Sequence, residues 1–152
     1  MSASQKIVVG VDGSPSSIQA LEWAIGQAAL IQSTLAGASI EAVTAWHFPN
    51  SYGTPLADSG DYPATAAETL DKAIATARNA RTGPGEAEVE ITTYVGEGPA
   101  GEILLDRARH ARLMVVGTRG HSGIGEALLG SVSQYLVHHA PCPVVVIRDG
   151  AA

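Results

Sequence analysis

At 152 residues, with 45% apolar and 16% charged residues, the chain has the size and composition of one folded domain, residues 1–152, able to bury roughly 70% of its unfolded surface. A formal charge of −6 and a pI near 5.2 leave no basic face for a phosphate backbone or an anionic membrane, so neither nucleic acid nor a membrane is expected as a partner. No apolar run approaches the ~18 residues of a membrane span, the first residues lack a signal-peptide pattern, and the lone Cys142 can form no internal disulfide, all of which point to the cytoplasm.

The run Lys6-Ile7-Val8-Val9-Gly10-Val11 is short, β-branched and almost wholly apolar, the pattern of a strand buried on both faces. Asp12-Gly13-Ser14-Pro15 follows, with Ser14 suited to cap a helix and Pro15 to occupy its first turn. Ile18, Leu21, Ile25 and Ala28 then recur at helical spacing. A second apolar run spans 40–46, and a second helix is expected over about 65–81, where Leu70, Ile74 and Ala77 form one stripe. Between them, 47–63 is rich in Pro, Gly, Asp and Ser and reads as a surface excursion, a lid over a site being the functional alternative.

After Gly83-Pro84-Gly85, Val89, Ile91, Thr93 and Val95 alternate with polar residues, as in an edge strand. Gly98-Pro99 opens a third helix, Leu113 to Val116 is a fourth strand, a last helix covers about 131–139, and Val144 to Ile147 is the closing strand. The order β-α-β-α-β-α-β-α-β predicts an α/β fold, an open, parallel, five-stranded, Rossmann-like sheet with helices on both faces. Ligands of such sheets bind beyond the carboxyl ends of the strands where strand order reverses, which singles out the loops after the first, second and fourth strands.

The loop after the fourth strand carries Gly117, Gly120, Gly123 and Gly125 within nine residues and feeds the last helix through Gly130 and Ser131. Glycines admit close ligand approach and positive φ, a conformation Gly130 could also serve, and successive amides at a helix start favour phosphate. The hydroxyls of Ser131 and Ser133 are candidate further donors. Neither a P-loop nor G-x-G-x-x-G is spelled here, and Gly120-His121-Ser122-Gly123-Ile124 fails the hydrolase elbow at its last position, so Ser122 is a poor nucleophile.

What the segment does spell is Gly117-x2-Gly120-x9-Gly130-Ser131, and this resembles the G-x2-G-x9-G-[ST] motif of the universal stress protein family, ATP-binding subgroup, with its adenine nucleotide alpha hydrolase-like fold. The resemblance extends to Ile7 through Ser14 and to Cys142 through Arg148. It implies ATP across the ends of the central strands, held by Gly10, Val11 and Asp12 from the first strand and by Ala45 near adenine. Gly117, Thr118, Arg119, Gly120, His121, Ser122 and Gly123 would lie around ribose and phosphates, and Gly130, Ser131, Val132 and Ser133 around the phosphates. Asp12 would carry Mg²⁺, the one metal position expected, with a plain turn-capping role as its alternative. The resemblance further implies a homodimer paired through the C-terminal strand and a regulatory, stress-related role without rapid turnover. The alternatives are an ATP-using enzyme and an ATP-free dimeric interaction module.

No other constellation stands out. His138 and His139 are adjacent, so they diverge by about 100° on a helix and suit its C-terminal dipole instead of a shared ligand. Cys142 between two prolines reads as a packing residue. Glu68, Asp71, Glu86, Glu88 and Glu90 read as solvated charges.

Overall fold

The computed structural model describes residues 4–47, 50–51, 54–55, 61–118 and 129–148. Five strands, β1 (Lys6–Gly10), β2 (Ser39–Trp46), β5 (Glu90–Glu97), β6 (Leu113–Gly117) and β7 (Val144–Ile147), form one parallel sheet in the order β5-β2-β1-β6-β7. Strand order reverses at β1, where the chain goes out through β2 and β5 and returns on the other side at β6. The expected α/β architecture is therefore present, with β5 and β7 at the edges. A feature the sequence reading did not foresee interrupts 47–63: β3 (Asn50–Ser51) pairs antiparallel with β4 (Thr54–Pro55). Trp46 and Tyr62 stack with ring centroids 6.5 Å apart and bring the ends of that excursion together.

Side chains alternate between the two faces of the sheet. Ile7, Val9 and Ile40 bury against α1 (Pro15–Gln32) and α2 (Tyr62–Ala80), whose Leu21, Ile25 and Leu70 are fully enclosed. Val8, Val43 and Met114 face the opposite way, against Leu104 of α3 (Ala100–Arg107) and Leu136 of α4 (Ser131–His139). The helix starts follow local chemistry. Ser17 N–H donates to the Ser14 hydroxyl at 3.3 Å, and Ala64 N–H to Asp61 Oδ1 at 3.1 Å. The second cap, with Pro63 in the first turn, starts α2 three residues before the expected position 65.

Two carboxylates are buried in ion pairs, and one of them, Glu86, was expected to be solvated. Glu86 is only 9% exposed, because Arg81 Nη2 and the Gly83 amide donate to its two oxygens at 2.7 and 3.2 Å and tie down the turn after α2. Glu41, the third residue of β2, accepts both Arg107 Nε at 2.9 Å and Arg107 Nη2 at 2.5 Å, with Lys6 Nζ 3.8 Å away. The Arg107 guanidinium lies 4.0 Å over the Tyr94 ring.

Arg107 hydrogen bonding holds the Glu41 carboxyl below its ordinary value of 4.5, outweighing the opposing effect of burial, and Lys6 adds to it. A depressed carboxyl stabilises the fold fully above its unfolded value, and that contribution is lost as pH falls through the folded one. Glu41→Gln is thus expected to cost about 2–3 kcal/mol at neutral pH, less than a fully enclosed pair because Arg107 reaches solvent. Below about pH 4.5 the wild type should converge on the variant. Urea unfolding of both proteins at neutral pH and at stepwise lower pH checks this; a gap that stays constant with pH would contradict it.

Candidate functional site

A cleft of about 180 Å³ opens at the carboxyl ends of β1, β2 and β6, at the point where strand order reverses. Its wall brings together Gly10, Val11, Asp12, Ala45, Gly117, Gly130, Ser131, Val132 and Ser133, residues up to 123 positions apart in the chain (Gly10 to Ser133). Thr118 is a described candidate that does not line it. Its amide donates to the Ile147 carbonyl at 2.9 Å and its carbonyl accepts from Gly130 N–H at 2.6 Å, so it joins β6 to β7 and to the start of α4. Arg119, Gly120, His121, Ser122 and Gly123 lie outside the described residues.

One wall is a strand edge. Val11 N–H donates to the Val43 carbonyl at 2.8 Å on the β1 side of β2, and Gly98 N–H to the Trp46 carbonyl at 2.8 Å on the β5 side. Successive residues of a parallel ladder address alternate neighbours. Ala45 therefore turns its N–H and C=O toward the β1 side, one step beyond the point where β1 ends and the chain turns at Asp12. A backbone donor and a backbone acceptor meet the cleft there. Val43, Leu104 and Val116 give the floor its apolar character. Gly10 serves that floor: a Cβ on it would lie 3.0 Å from Leu104 Cδ1 and 3.2 Å from Val116 Cγ1.

The facing wall is made of helix starts. α1 and α2 have their first turns capped by the Ser14 and Asp61 side chains, whereas α3, starting after Pro99, and α4, starting after Gly130, have no side-chain cap. These two uncapped helices are the ones whose first residues, Ala100 and Ser131, line the cleft. In α4 the first bond along the helix is Gln134 N–H to the Gly130 carbonyl at 3.0 Å, which leaves the amides of Ser131, Val132 and Ser133 without an intrahelical acceptor. Three oriented amides with the positive end of the helix dipole favour an anion.

Two details differ from the sequence reading. Gly130 has φ −62° and ψ 160°, extended backbone open to any residue, so no left-handed conformation accounts for it. Ser133 is 5% exposed, and its hydroxyl donates to the Gly117 carbonyl at 2.6 Å. That proton is committed to tying α4 to the end of β6, and what Ser133 presents to the cleft is its amide. Asp12 accepts the Ser14 amide on Oδ1 at 2.9 Å, so the turn-capping role is real, and the residue also lines the cleft. His138 and His139 occupy the last turn of α4 as expected, and Cys142 is half-buried, its thiol pushed up by burial. No group of three or more metal-binding side chains occurs among the described residues, and no helix among them is long and apolar enough to cross a membrane.

Sequence reasoning missed Ser17, Val43, Thr44, Ala100, Leu104 and Val116 as lining residues. For Ala100 a signal existed: Gly98-Pro99 marks a helix start at the carboxyl end of a strand. That strand, β5, is an edge strand, but α3 crosses back over β2 and β1 on its way to β6, and this carries its first turn to the cleft.

Sheet order, a cleft at the switch point and two uncapped helix starts beside it define an open α/β protein with a cleft at the carboxyl ends of its central strands. The universal stress protein family model matches residues 3–148, and the chain belongs to that family. Universal stress protein Rv2623 of Mycobacterium tuberculosis (strain ATCC 25618 / H37Rv) is 36% identical over 157 residues, covering 94% of this chain and 47% of that protein. A universal stress protein of Mycolicibacterium smegmatis is 32% identical over 144 residues, with 93% and 47% covered. The chain thus spans about half the length of the curated relatives it matches. Among solved structures, UspA from Lactobacillus plantarum superposes with a TM-score of 0.66 at 27% identity, covering 97% of this chain and all of that one. A universal stress protein crystallised in complex with cAMP gives 0.68 at 28% identity, covering 98% and 100%.

Proposed function

We propose that residues 1–152 act as one domain that binds ATP in this cleft, as a regulatory, stress-related protein of the cytoplasm that holds the nucleotide without rapid turnover. The observation that carries the reading is the pairing of opposite chemistries across one small cleft: three helix-start amides on one side, the Ala45 edge and an apolar floor on the other. Triphosphate would meet the amides of Ser131, Val132 and Ser133. Adenine would lie on Val43 and Leu104 with its Watson–Crick edge against Ala45. Adenine offers an acceptor beside a donor there, matching an N–H and a C=O, whereas guanine offers the reverse at both atoms. Mg²⁺ takes one or two carboxylates together with substrate phosphates, and Asp12 is the carboxylate at the cleft that fits that pattern.

Calorimetric titration with ATP and GTP, with Mg²⁺ and then with EDTA, tests the reading, alongside a phosphate-release assay. ATP is expected to bind at least about tenfold more tightly than GTP, the equivalent of one hydrogen bond gained instead of lost. EDTA should weaken ATP in the wild type and leave Asp12→Ala unaffected. Equal affinity for the two nucleotides would remove adenine from the Ala45 edge, and EDTA-independent binding would remove the metal role of Asp12. The cAMP complex of the relative at 28% identity favours a second reading, a cyclic nucleotide in the same cleft, and cAMP belongs in the same titration.

The reading includes a homodimer paired through β7. That edge strand is short and apolar, with all four residues half-buried, and an uncovered edge of that kind invites pairing with another chain. Sedimentation at micromolar concentration is expected to give twice the mass of the chain; a monomer with and without ATP would count against it.

A further inference from the structure

We propose that Glu41 and Arg107 are positioning residues for the nucleotide cleft, acting from the far end of α3. The inference rests on the ATP-binding reading above and adds to it a pair of residues that do not line the cleft. α3 has only eight residues, about 12 Å of helix, too few to be stable without docking. Its amino end forms part of the cleft through Ala100 and Leu104, while its carboxyl end lies over the starts of β1 and β2. Ala100, Leu104 and Arg107 are spaced four and three residues apart and so share one face of the helix.

The two ends are held differently. At the cleft the helix has no side-chain cap, and its docking is apolar: Leu104 Cδ1 lies 3.0 Å from where a Cβ on Gly10 would stand, a tight contact, and Gly101 lies under the Tyr135 ring of α4. At the other end three directional bonds converge. Arg107 donates through Nε and Nη2 to the two oxygens of Glu41, and Lys6 Nζ donates to the Arg107 carbonyl at 3.1 Å. The guanidinium is further fixed over Tyr94 of β5, so one side chain references α3 to both β2 and β5. A bidentate pair with one partner 91% buried sets an angle as well as a distance. Releasing it lets the short helix tilt about its apolar contacts, and the parts that move are the Leu104 floor and the Ala100 amide end.

The test compares ATP affinity in Glu41→Gln, Arg107→Lys and a control, Glu86→Gln. The control breaks the buried Arg81 pair on the α1/α2 side, away from the cleft. Glu41→Gln removes a negative charge, which on charge alone favours an anionic ligand, so any weakening reports geometry. ATP affinity is expected to fall about tenfold in Glu41→Gln and by less in Arg107→Lys, which keeps the charge but not the paired donors. In Glu86→Gln it should change less than about twofold despite a comparable loss of melting temperature. Wild-type affinity in Glu41→Gln, or equal weakening in Glu86→Gln, overturns the inference. Arg107→Lys provides the same decision if Glu41→Gln does not fold. A wild type that binds no ATP would defeat the nucleotide reading separately. Amide exchange at Ile103, whose N–H donates to the Pro99 carbonyl at 3.1 Å, then decides for the clamp. Faster exchange without nucleotide in Glu41→Gln alone supports it, and unchanged exchange overturns it.

Discussion

Gly117→Ala is expected to lower the unfolding free energy by about 3 kcal/mol, with a fall of roughly 10 °C in melting temperature, and to weaken any ligand of the cleft with it. The reason is a contact with backbone. A Cβ on Gly117 would lie 2.8 Å from both the carbonyl carbon and the Cβ of Ser16, and nearer still to its hydroxyl oxygen. Ser16 is 2% exposed in the first turn of α1, and that turn is fixed by the Ser14 cap and packed on β6. It cannot yield without moving the helix, and retreat of Gly117 is opposed by the Ser133 hydroxyl on its carbonyl. Thermal unfolding checks the expectation, and a loss of less than about 3 °C would show that the two segments relax freely.

This glycine illustrates what the sequence conveys and what it leaves out. The spacing of Gly117, Gly120, Gly130 and Ser131 pointed to the carboxyl end of β6, where a cleft opens, but the reason for glycine at 117 is Ser16, 101 residues earlier, which no local pattern encodes. Strands were readable because burial on both faces leaves unbroken apolar runs such as Leu113 to Val116, and the start of α1 because Ser14 caps by local chemistry, whereas the Asp61 cap of α2 was hidden in a polar stretch and that start was placed three residues late. Sheet order was not readable, since crossover direction depends on packing. The Glu41–Arg107 pair was invisible for a like reason: each residue alone is an ordinary charge, and only the placement of α3 over β2 joins them across 66 positions. Ser133 was read as a donor to a ligand because a serine at a helix start usually is available, and the Gly117 carbonyl had already claimed it.

Gly130→Val is expected to reduce ATP affinity by more than about 100-fold while leaving the fold nearly as stable as before. The two effects separate because of what Gly130 does with its backbone. At φ −62° and ψ 160° valine is accommodated without strain, and both backbone bonds persist, the N–H to the Thr118 carbonyl and the carbonyl from the Gln134 amide. Wild-type Gly130 contributes no side-chain cap, so stability should fall by at most about 1 kcal/mol, the difference between glycine and a branched residue at that position. Gly130 lines the cleft next to the amides of residues 131–133, so an added isopropyl group is expected to hinder the approach of the phosphates to all three. Ser131→Ala removes one hydroxyl donor and keeps the amides. With a hydrogen bond to a charged group worth about 1.5–3 kcal/mol, its expected loss is roughly 10- to 100-fold, smaller than that of valine. Titration of ATP into both variants, each first shown to melt within about 4 °C of wild type, gives the ranking. If both bind as the wild type does, the phosphates are not held at the start of α4, and the proposed phosphate site there falls with them.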